Sequence, residues 1–270
     1  MFQNIIDEDI REENESFNTE KNKRTIDFKK LFSVYDFVLY AVAFMVSMVG
    51  FGEEFAPFGL AIFAAVCSNR IPAGIIYLAT CLGTLIGFGV NEFLLYLLTT
   101  LVFIGTILIV RPRYEDKSRN EKQKLGKYIL ISTFIVQAGK MLFTMFLLYD
   151  LLASIMISLL TYIFYKIFVN SIVVIKEYGI KKAFTIEEVM GASLLISIAF
   201  YSLSGLNILG LSISNILSIM LVLFLGWKNG MLVGATSGIT IGIVLGIIGD
   251  SEPVLLASYA ISRNDSRIIK

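Results

Sequence analysis

The sequence predicts an all-α protein: a polytopic transmembrane helix bundle of nine complete passes plus a short or truncated tenth. Three observations predict it. Hydrophobic residues make up 56% of the chain and charged residues only 17%, with a mean hydropathy of +0.75, too little charge to cover a soluble surface. The apolar residues fall in long uninterrupted runs separated mostly by short loops. The basic residues lie almost entirely between alternate runs, as they do when chains cross a bilayer with their Lys and Arg retained on the cytoplasmic side.

Residues 1–30 run from acidic to basic without an apolar face and predict a flexible cytoplasmic tail. They lack the apolar stretch and cleavage site of a signal peptide. The transmembrane domain is expected over 31–262, with passes at about 32–50, 55–69, 72–88, 93–110, 128–148, 151–169, 187–204, 207–226, 229–248 and 253–262. A hydrocarbon core of about 30 Å takes ~20 helical residues, so the second, third and last runs are short. The last, of only about ten residues, cannot span that core and predicts either truncation or a segment that dips in without crossing. A short basic tail, 263–270, closes the chain. Helices are required because each segment must satisfy its own backbone in lipid, and the runs lack the alternation of barrel strands.

Charge gives an independent check. Of the 23 Lys and Arg, all but Lys140 fall on one face when ten passes alternate from a cytoplasmic N-terminus. They include the cluster Arg111, Arg113, Lys117, Arg119, Lys122, Lys124 and Lys127 after the fourth pass. The opposite loops, GFGEE, GVNE, YD, SGLN and GDSE, hold no Lys or Arg. This segregation also excludes the basic, aromatic-interleaved surface of a nucleic-acid binder.

Within the passes, Gly230, Gly234, Gly238, Gly242 and Gly246 recur every fourth residue. That spacing winds one glycine stripe around a helix and lets a neighbouring helix come close, within the monomer or in self-association. Lys140 lies past the middle of the fifth pass, where a lone charge costs several kcal/mol by the insertion scales, ~2.5–3.5 at a helix centre. Asp36, Glu92 and Asp150 are its candidate partners. Thr185 and Glu188 have the spacing of a capping box, with Thr185 accepting from the amide of 188 and Glu188 accepting from that of 185. Pro57 and Pro72 suit the first turns of the second and third passes. The stretch 169–182 is expected along the headgroups, its lysines facing anionic lipid.

Catalytic signatures are missing. The chain has no Walker-type loop, HExxH or GxSxG, and no histidine. Cys67 and Cys81 lie in apolar runs, where each thiol behaves as a small hydrophobe, and no zinc set can be assembled.

Three stretches carry a family resemblance: EEFAPFGLAIFAAV (53–66), FTIEEVMGASLLISIAFYSLSGL (184–206), and GWKNGMLVGATSGITIGIVLGIIG (226–249) followed by LLASYAIS (255–262). With the order of its hydrophobic runs, the chain resembles the N-terminal membrane region of stage II sporulation protein E, the sporulation phosphatase of endospore-forming Firmicutes. The resemblance implies a non-catalytic membrane domain. It would localise and oligomerise a PP2C-type serine/threonine phosphatase at the polar septum, through a link to the division protein FtsZ, for forespore sigma-factor activation. Mn or Mg is expected only in that phosphatase domain, whose metal-binding aspartates are absent here, so no cofactor is expected in this chain. The alternatives from composition alone are a small-solute transporter or a membrane sensor with its pocket near Lys140.

Overall fold

The computed structural model describes residues 34–51, 56–69, 71–110, 119–143, 148–177, 184–208 and 211–249. Among these are eight helices and one two-stranded ribbon. The helices are α1 (Val34–Ser47), α2 (Pro57–Ser68), α3 (Ala73–Val110), α4 (Arg119–Phe143), α5 (Leu148–Glu177), α6 (Ile186–Tyr201), α7 (Ile213–Asn229) and α8 (Met231–Ile248). The ribbon pairs β1 (Asn207–Ile208) with β2 (Leu211–Ser212) antiparallel. The chain divides at Phe37 into two compact units, and everything below concerns the second, Val38 onward.

Nine complete passes are not supported. Among the described residues, three helical stretches are long and apolar enough to cross a membrane: Ala73–Ile109, Tyr149–Lys176 and Met231–Ile248. The expected tenth run, 253–262, and the tails 1–30 and 263–270 lie outside the described residues. The second expected pass, 55–69, is the 12-residue α2, about 18 Å long against a hydrocarbon core of ~30 Å. Pro57 through Val66 are all buried. A helix apolar on every side belongs inside a protein, and α2 is the central strut of the bundle, with α3, α4 and α5 packed around it. Phe58 on α2 meets Phe164 of α5 edge-on at 4.6 Å and Phe51 at 5.1 Å.

The third and fourth expected passes merge in α3, yet α3 is not straight. Gly89 interrupts it at φ 80°, ψ −170°, a backbone conformation open essentially to glycine alone. The Thr80 and Tyr96 hydroxyls lie 2.7 Å apart and those of Tyr77 and Thr100 lie 3.3 Å apart. In a straight helix these pairs would be separated by roughly 24 and 35 Å. The two limbs therefore fold back on one another, and α3 is a helical hairpin whose limbs are tied by a ladder of hydroxyls.

Three other boundaries differ from expectation. Helix α4 begins at Arg119, earlier than the expected 128, and is described as far as Phe143, with 144–147 outside the described residues. The first part of the stretch expected along headgroups, 169–182, continues α5 as far as Glu177, with Val169, Ile172 and Ile175 buried, and 178–182 lie outside the described residues. The pass expected from 207 begins instead with the ribbon. Turns through Ser202–Gly205 bring the Ile213 amide back to the Leu206 carbonyl at 3.0 Å.

Close approaches are made by glycine. A Cβ at Gly83 would overlap the Ser47 side chain and lie 2.5 Å from the Phe44 carbonyl oxygen. One at Gly87 would lie 2.7 Å from the Met48 carbonyl oxygen. This GxxxG pair on the first limb of α3 seats α1, as small-residue spacing does for helices in membranes.

Candidate functional site: a polar cavity beside an ion pair

At one end of the bundle, the start of α2, the second limb of α3, α4 and the outer part of α5 surround a cavity of about 40 Å³. Its polar lining comes from Glu92, Thr99, Thr133, Gln137 and Thr161, with the Tyr96 side chain beside them. Each threonine hydroxyl donates to a carbonyl of its own helix: Thr99 to Leu95, Thr133 to Ile129 and Thr161 to Ile157. Their lone pairs remain for the cavity. The volume suits roughly two or three waters and is far below the ~300 Å³ at which small-molecule pockets begin.

The Lys140 ammonium lies 3.4 Å from Glu92 Oε1, the lysine 41% and the glutamate 13% exposed on the protein surface. Lys140 lies in the last described turn of α4. Glu92 sits in the first turn after the Gly89 break. Both charges match the helix dipoles they cap, an anion at an N-terminus and a cation at a C-terminus. Helix α2 also starts at the cavity, and its N-cap, Ala56, gives no side-chain hydrogen bond. Its first amides add positive potential on the side of Glu92. Glu92 was one of three partners the sequence allowed for Lys140; what selects it is the Gly89 hairpin, which returns the second limb to α4.

The opposite end is joined by a second polar cluster. The Lys122 ammonium donates to Asn69 Oδ1 at 3.1 Å, and Asn69 Nδ2 donates to the Val169 carbonyl at 3.0 Å. The Tyr165 hydroxyl donates to the Lys122 carbonyl at 2.8 Å. This network ties α2, α4 and α5 beside the basic loop after the fourth expected pass. Sequence reading missed it, and the signal available was a lone Asn next to Arg70 at the end of an apolar run. The GxxxG of α3 was missed as well, although Gly83 and Gly87 carry the same spacing as the α8 stripe.

The other sequence-derived residues are placed as follows. Thr185 Oγ1 accepts from the Glu188 amide at 3.2 Å, and Glu188 Oε2 accepts from the Thr185 amide at 2.9 Å, a complete capping box at the start of α6. Gly230 lies outside α8, in the turn from α7 at φ 91°, so it turns the chain rather than packing a helix. A Cβ at Gly234 would lie 2.6 Å from the Gly226 Cα of α7. Gly238 and Gly242 are buried, and Gly246 is half-buried. The glycine side of α8 is thus occupied within the chain by α6 and α7. Cys67 and Cys81 are free thiols, half-buried and buried. Among the described residues no cluster of three His, Cys, Asp or Glu is placed to hold a metal ion.

A mainly helical bundle with spans apolar enough to cross a membrane, glycine-seated crossings and polar clusters at its two ends has the character of a membrane helical domain. A family model described as SpoIIE, N-terminal domain matches residues 2–257. The chain belongs to that family. Neither the curated proteins nor the solved structures yield a match.

Proposed function

We propose that this chain is the membrane anchor of a sporulation phosphatase. In this reading it is non-catalytic, holds a PP2C-type serine/threonine phosphatase at the polar septum, self-associates there, and engages FtsZ, so that the enzyme activates the forespore sigma factor. The observation that carries the reading is the family match across 2–257. The multi-pass arrangement with a cytoplasmic N-terminus is part of the proposal. Support comes from the α3 hairpin and from the two chemically different ends of the bundle, one holding the Glu92 cavity and the other Lys122. A septal anchor needs no solute path, and the cavity beside Glu92 is only about 40 Å³. With the glycine side of α8 covered inside the chain, self-association would use the lipid-facing residues, among them Leu232, Ile239 and Ile247, which are exposed.

The test is a fluorescent fusion of the chain in sporulating cells. Enrichment at the polar septum, lost on FtsZ depletion, is the expected outcome. A uniform membrane signal at the time of septation would overturn the localising role.

A further inference from the structure

A second concavity, of about 310 Å³, opens between α5, α6 and α8. Its polar wall carries Lys166 and Asn170 of α5 and Glu187 of α6, and its apolar wall carries Ile167 and Met190. The floor is sealed where α5 crosses α6: a Cβ at Gly191 would lie 2.7 Å from Ser171 Oγ. Lys166 and Glu187 are both exposed. Glu187 has no part in the capping box, which Thr185 and Glu188 complete by themselves. The Lys166 ammonium lies 5.5 Å from the centroid of the Tyr162 ring, which holds it near the rim. The same three helices expose Ile163, Ile186, Ile239 and Ile243, side chains that in a membrane protein are covered by acyl chains.

The site therefore combines a cation, an anion and an amide above an apolar wall that continues into a lipid-facing surface. We propose that it binds one phosphatidylethanolamine molecule: the phosphate on Lys166 and Asn170, the primary ammonium on Glu187, and an acyl chain along Ile167 and Met190. Charge complementarity selects this lipid. An anionic headgroup such as phosphatidylglycerol would satisfy Lys166 but face the Glu187 carboxylate. Phosphatidylcholine has the same charges, but its quaternary ammonium has no N–H to donate. The inference rests on the membrane placement of the bundle and not on the septal role, so either can fail without the other.

The test is lipid retention by the purified full chain in detergent, read by native mass spectrometry with phosphatidylethanolamine, phosphatidylglycerol and phosphatidylcholine of identical acyl chains. The wild type is expected to retain phosphatidylethanolamine about five-fold over either competitor, the size of one modest ion pair. Glu187→Gln should bring phosphatidylglycerol level with phosphatidylethanolamine, and Lys166→Ala should lose both. Both positions are exposed, and a matching thermal midpoint in detergent verifies that each variant is folded. Equal retention of the three lipids by the wild type, or an unchanged preference in Glu187→Gln, overturns the proposal.

Discussion

The pairing of Lys140 with Glu92 shows how a single charge is tolerated in so apolar a chain. Three features favour the charged forms: the partner itself, the dipoles of the helix ends that carry them, and the open rim at Lys140. Because Lys140 is 41% exposed, the pair should contribute about 1 kcal/mol rather than the several of a fully buried one. Glu92→Ala is therefore expected to lower the thermal midpoint in detergent slightly. The charge-swapped double variant, Glu92→Lys with Lys140→Glu, should remain below wild type, because it sets each charge against its helix dipole. Full recovery in the swapped variant would mean that the pair alone matters. Four buried hydroxyls, on Ser197, Ser214, Ser218 and Ser237, make no hydrogen bond among the described residues.

At the scale of elements, α3 depends on one residue. Gly89 alone supplies the φ 80° turn, and nothing lies within 4 Å of where its Cβ would be. Substitution is thus opposed by backbone strain and not by crowding. Gly89→Ala should destabilise the hairpin by about 1–3 kcal/mol, read as a lower thermal midpoint and as easier proteolysis near residue 89. An unchanged midpoint would show that the limbs part without strain. The sequence marked this place with a polar break, GVNE between two apolar runs, and so showed two passes. It could not show that the runs remain joined by a one-residue turn. Helix α6 is the opposite case: its start was legible residue by residue, because a capping box is a local motif whose donors and acceptors lie within four residues. The ribbon at Asn207–Ser212 was not legible, since a four-residue pairing has no periodicity to detect.

For the whole molecule, the chemistry of the two ends is the main result. The cavity end gathers the start of α2, the second limb of α3 beginning near Glu92, and the end of α4. The other end gathers the close of α2, the start of α4 and the later part of α5. The proposed alternation through a bilayer would produce this arrangement. In a background with Cys67 and Cys81 replaced by alanine, Asn91→Cys should react with a membrane-impermeant maleimide in intact cells, and Lys228→Cys only after permeabilisation. Reaction of both in intact cells would refute the alternation. Composition, apolar runs and local motifs by themselves determined the mainly helical class, the order of the apolar runs and the Thr185–Glu188 cap, because hydropathy and capping are local or additive along the chain. Only the tertiary structure decided that α2 is a buried strut, that Lys140 pairs with Glu92, and that Gly234 of α8 seats against Gly226 of α7. Each depends on which surfaces meet, and an apolar run reads the same whether lipid or protein covers it.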